Sequence, residues 1–124
     1  MKLWVTGSHD WDDDMFLARV LTLIIQDVSQ DDKTISFFHL DREGAEQILG
    51  SYVAKTKSFL TGKGFKVTEF IPVKGLSIDE RINKVLDQSP ELLLIFNKGA
   101  DHKVAKIRQF AKDNKIKTVE YKNP

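Results

Sequence analysis

The residues whose types suit small-molecule chemistry fall into four short segments of this chain. His9 sits in Thr6-Gly7-Ser8-His9-Asp10-Trp11-Asp12-Asp13. His39 opens His39-Leu40-Asp41-Arg42-Glu43-Gly44-Ala45-Glu46, and His102 closes Asn97-Lys98-Gly99-Ala100-Asp101-His102. Arg81 ends the fourth segment, residues 72–81. Gly7 permits close backbone approach, and amides at the start of a following helix can hold a phosphate. Glu43 and Glu46 can act as general acid or base, or accept a ribose hydroxyl. Their plainer role is helix-start charge, worth about 0.3–1 kcal/mol. Arg42 and Arg81 can bind phosphate bidentately, or simply form ion pairs. Trp11 can stack on a base or ribose, or pack against the next helix. Three histidines are a metal set in principle. No H-E-x-x-H spacing supports one, so no metal site is expected.

Several familiar motifs are absent. There is no G-x-G-x-x-G fingerprint, no G-x-x-x-x-G-K-[ST] loop and no G-x-S-x-G elbow around Ser8. The lysines at 103, 106, 112, 115 and 117 read as a solvated face.

These segments need elements to position them, and the hydrophobic pattern supplies a strand–helix alternation. Residues 2–6 read as a strand buried on both faces. Asp12, Asp13 and Asp14 can cap a helix running to about Val28, with Leu17, Val20, Leu21, Ile24 and Val28 on one face. Residues 29–33 read as a loop. A second strand spans 34–38. A second helix follows it, with Ala45, Ile48, Leu49, Tyr52, Thr56, Phe59 and Leu60 inward and stops at Gly62 and Gly64. A third strand covers 65–71. Ser77 and Glu80 have capping-box spacing for a third helix. Residues 91–96 are a continuous apolar strand. A fourth helix turns Ala100, Val104, Ile107 and Ala111 to one side, and 117–121 is a fifth strand. The order βαβαβαβαβ predicts an α/β fold, a three-layer Rossmann-like domain over 1–124 with a mainly parallel five-stranded sheet. In such sheets the four segments share the edge where ligands bind.

Composition narrows the function. The 124 residues are 41% hydrophobic and 30% charged, which suits one globular domain rather than a disordered chain. A net charge of +1 supplies no broad field for nucleic acid. Without cysteine there is no disulfide frame, thiolate zinc site or cysteine nucleophile. No stretch approaches the roughly 20 apolar residues of a membrane span. The first strand begins at once, with no signal-peptide core, so a cytoplasmic protein is expected.

The four segments together resemble the YspA-like (cpYpsA-related) branch of the SLOG superfamily. That branch opens on T-G-S-R-x-[aromatic]-x-[Asp/Asn], matched here by Thr6 to Asp13. Its H-G-G-A-R-G-A-D turn corresponds to His39 to Glu46, its A-G-x-x-R-N segment to the region of Arg81, and its F-P-G-G-x-G-T turn to Phe96 to His102. The chain departs from it in places. Leu40, Asp41, Lys98 and Asp101 replace glycines, Glu43 replaces an arginine, Glu46 an aspartate and Ile82 an asparagine. Side chains and added negative charge then stand where bare backbone would meet a phosphate.

The resemblance implies a binding protein or sensor for a nucleotide or nucleotide-derived ligand of the ADP-ribose/NAD-related class, without catalysis and with no required cofactor. The implied ligand residues are Gly7, Ser8, His9, Trp11, Asp13, Arg42, Glu43, Gly44, Arg81, Lys98, Gly99 and His102. One alternative is a nucleotide phosphoribohydrolase-like enzyme with Glu46 as acid/base and Arg81 as phosphate anchor. Another is a protein-interaction module that has lost its ligand. The expected partners are a nucleotide-like small molecule and a second copy of the chain in a homo-oligomer, not membrane or nucleic acid.

Overall fold

The five apolar runs form one sheet, and every pairing between its neighbouring strands is parallel. The computed structural model describes residues 1–28 and 32–122. The elements are β1 (Lys2–Gly7), α1 (Asp14–Gln26), β2 (Thr34–Phe38), α2 (Ala45–Gly62), β3 (Lys66–Phe70), α3 (Ile78–Leu86), β4 (Leu92–Asn97), α4 (His102–Asp113) and β5 (Lys117–Lys122). Strand order is β3-β2-β1-β4-β5. This is the Rossmann-like α/β arrangement expected from the alternation, with the order, which periodicity does not encode, now fixed. Of the loop expected over 29–33, Ser29, Gln30 and Asp31 lie outside the described residues.

Period-two geometry sorts the strand side chains into two cores. Leu3, Val5, Ile35, Phe37, Leu94 and Phe96 meet α1 and α2 on one face. Trp4, Phe38, Leu93 and Ile95 meet α3 and α4 on the other. Both faces of β1 and β4 are therefore covered, which is why their sequences are continuous apolar runs rather than alternating ones.

Helix starts follow local capping chemistry. Asp13 accepts from the Phe16 amide at 3.0 Å. Ser77 and Glu80 form a reciprocal capping box, and Asp101 accepts from the Lys103 and Val104 amides. Of the four helices among the described residues, α2, begun at Gly44, is the one without a side-chain cap.

Two expectations are corrected. Phe59 is not inward: it is 63% exposed, with the Lys63 ammonium 4.9 Å from its ring centroid. The 18 residues of α2 span about 27 Å, whereas the five-residue strands beneath span about 17 Å. The last turns of α2 thus overhang the sheet, and only Leu60 there is buried. Ala100 is exposed and lies outside α4, because Asp101 caps the helix and the first helical residue is His102. Element ends differ by one or two residues, as at α1, which stops at Gln26 while Val28 stays buried. No helix among the described residues is long and apolar enough to cross a membrane.

Candidate functional site

The strand order changes direction at β1: its connection leads toward β2, while the next strand on the other side is β4. In open α/β sheets that reversal leaves a crevice beyond the carboxyl ends of the strands. Ser8 stitches its two walls together. Its amide donates to the Phe96 carbonyl at 3.0 Å, and its hydroxyl oxygen accepts from the Lys98 amide at 2.9 Å. Gly7 is needed for packing here, since a Cβ would overlap the Phe96 carbonyl and the Ala45 methyl. Gly44 has φ of +86°, and a Cβ there would strike the Ser8 carbonyl. Both glycines let protein segments close on one another.

At the centre of the edge stands Asp101, whose side chain is 5% exposed. One oxygen accepts from the Lys103 amide at 2.9 Å and the Val104 amide at 3.2 Å. The other meets the His9 amide and the His9 Nδ1, both at 3.2 Å. Arg42 Nη2 reaches both oxygens, at 3.0 and 3.2 Å. Burial alone would raise the Asp101 pKa. The His9 hydrogen bond, the Val104 amide and the Arg42 charge outweigh burial, and hold the pKa at about 2 against an ordinary 3.8.

Arg42 bridges to a second carboxylate. Its Nη1 lies 3.2 Å from Glu46 Oε2, which also accepts from the Thr6 hydroxyl at 3.2 Å. The other Glu46 oxygen accepts from the Leu40 amide. Glu46 is fully buried, and that burial raises its pKa despite Arg42, the Leu40 amide and the Thr6 hydroxyl. One guanidinium thus serves two carboxylates pushed in opposite directions. Nearby, His39 is also sealed. Its Nδ1 accepts from the Asp41 amide at 3.0 Å, so the proton sits on Nε2, 2.7 Å from Glu69 Oε2. His39 therefore braces β2 against β3.

Two hollows open on this edge. The larger, 610 Å³, is lined by His9, Gly44 and Ser51 among others, with the carboxylates Asp10, Asp12, Asp14 and Glu43. The smaller, 290 Å³, is lined by His9, Arg42, Ala100, Asp101, His102 and Lys103. The first is acidic and the second predominantly basic, and His9 belongs to both. The uncapped start of α2 borders the acidic one through Gly44 and Gln47.

The expected ligand residues therefore divide. His9, Arg42 and His102 meet in the basic hollow; His9, Trp11, Glu43 and Gly44 line the acidic one. The Trp11 ring is mostly interior: the residue is 3% exposed, edge-on to Phe96 at 5.5 Å, with its indole N–H donated to the Asp13 carbonyl. Asp13 is occupied as the α1 cap. Lys98 is tied to Ser8 and, through Nζ, to Asp12 at 3.2 Å. Arg81 lies elsewhere, donating to the Leu40 and Pro72 carbonyls and so clamping the loops after β2 and β3. Gly99 is exposed with open space around it. Glu46 borders neither hollow. Among the described residues no group of three His, Asp or Glu side chains is arranged to hold a metal ion.

Sequence reasoning missed the central place of Asp101 and the part played by Asp10, Asp12, Asp14 and Lys103. The available signal was Asp101 directly before a helical pattern, the position of an N-cap. No protein-family model matches the chain, and no curated protein sequence matches it.

Proposed function

We propose that this chain is a divergent SLOG-type binding protein or sensor for a nucleotide-derived small molecule of the ADP-ribose/NAD-related class, working without catalysis in the cytoplasm. The observation that carries the reading is the pair of oppositely charged hollows joined at His9 on the switch-point edge. Carboxylates such as Glu43 accept hydrogen bonds from ribose hydroxyls. The His102 and Lys103 rim of the other hollow attracts phosphate. The phosphoribohydrolase reading has less support, because its acid/base Glu46 is fully buried with both oxygens engaged. Its anchor Arg81 is committed to backbone carbonyls.

Calorimetry with ADP-ribose, NAD, AMP and cyclic nucleotides tests the proposal. Saturable heat from at least one of them is expected, weakened by Glu43→Ala. No heat and no thermal shift from any would overturn it.

The reading includes self-association. Three large exposed apolar side chains, Met15, Leu23 and Phe59, lie on the α1/α2 layer. A 410 Å³ groove there is lined by Ile25, Tyr52, Phe59, Leu60 and Phe65. It lies toward the amino ends of the strands, so a second copy seated on it leaves the ligand edge open. Sedimentation at about 100 µM should show a dimer that Phe59→Glu returns to monomer, since association depends on concentration. A wild-type monomer, or a dimer indifferent to that substitution, would refute this interface.

A further inference from the structure

We propose that Asp101 is a tethered anion: it fills a phosphate receptor from within and thereby sets which ligands the basic hollow accepts. The geometry exceeds what a helix cap requires. Capping needs only an oxygen for the first amides, which serine or asparagine supplies equally well. The Asp101 carboxylate takes the Lys103 and Val104 amides, and in addition the His9 amide, the His9 ring and the Arg42 guanidinium. These donors come from two loops and the first turn of α4, and converge on one carboxylate that is almost wholly buried. Backbone amides at a helix start, a guanidinium and an imidazole are the donors that proteins gather around phosphate.

The surroundings support the same reading. Every titratable side chain lining the hollow other than Asp101 is cationic or able to become so: His9, Arg42, His102 and Lys103. The hollow has room for an anion larger than a carboxylate. Arg42, with a side chain 10% exposed, also faces Glu46 from α2, so it stays fixed when Asp101 is removed. An anion on the same chain holds these donors at an effective concentration that free phosphate in solution does not match. The wild-type hollow therefore accepts phosphate only at its rim, and favours ligands with few phosphates.

The specificity role rests on the ligand reading above, whereas the receptor itself does not. Asp101→Ser keeps a capping oxygen and removes the charge; Asp101→Asn is the second choice should serine fail to fold. Calorimetry with inorganic phosphate at low ionic strength should show binding at least about tenfold tighter than wild type. Amide NMR should place that phosphate at His9, Lys103 and Val104. A folded variant without the gain, or with phosphate bound elsewhere, overturns the proposal. ADP-ribose, titrated in parallel, separates the two claims. A matching gain supports the specificity role. A phosphate gain with no ADP-ribose binding to either protein keeps the receptor and removes the nucleotide reading.

Discussion

Arg42→Met is expected to lower stability by about 3–5 kcal/mol, the largest loss for any single substitution at the loop edge. The magnitude follows from what is left behind. Arg42 Nη1 faces Glu46 and Nη2 faces Asp101, whose side chains are 0% and 5% exposed. Methionine fills much of the same volume, so the loss is electrostatic rather than a cavity. Two carboxylates would remain out of water with their shared cation gone.

The loss should depend on pH in a stated direction. In the wild type the Asp101 pKa lies at about 2, below its ordinary 3.8. A depressed carboxylate contributes stability above its unfolded value and loses it as pH falls through the folded one. That interval is worth about 2 kcal/mol, fully present at neutral pH and fading between about 4 and 2. Without Arg42 the depression shrinks, so the variant should lie closer to wild type at pH 3 than at pH 7. Urea unfolding at both pH values checks this. An equal loss at the two values would show that Arg42 acts through packing.

Glu46→Ala should cost about 3 kcal/mol, and Glu46→Gln about 1. Alanine strands the Leu40 amide, the Thr6 hydroxyl and one face of Arg42 in a buried place. Glutamine keeps an oxygen for the Leu40 amide and leaves a donor facing Arg42, a smaller conflict. The pKa direction adds a second feature. A carboxyl raised by burial gives its full contribution below the unfolded value and loses it as pH rises through the folded one. The penalty for glutamine, which never ionises, should therefore be smaller at pH 7 than at pH 4. Thermal unfolding of the three proteins measures both effects, and ADP-ribose heat should be unchanged in the glutamine variant. Glu46→Ala within about 1 kcal/mol of wild type would mean that water enters and satisfies these groups.

Much of the fold is legible because its signals are local. Leu92 to Phe96 declares a two-face-buried strand, Ser77 and Glu80 a capping box, and the alternation a parallel sheet. The strand order is not local: it depends on which edges pair after folding, and no residue in the sequence carries it. Phe59 misleads for a related reason. Its spacing fits the apolar stripe of α2, but the length of the sheet below decides how far that stripe is covered.

The site divides along the same line. His9, Arg42 and His102 meet because each follows a strand, and strand ends share one edge. What the edge does with Asp101 is a matter of distances between loops about 60 and 90 residues apart in sequence. Likewise Gly7 and Gly44 suggest room for a phosphate by type, whereas in the fold they make room for Phe96, Ala45 and Ser8.

The central claim, a ligand site on the switch-point edge, is most directly tested by an amide NMR titration of the wild-type protein with ADP-ribose. The expected result is saturable shifts confined to residues 7–13, Gly44 and Ala45, and residues 101–104. No shifts, or saturable shifts confined to another surface, would contradict it.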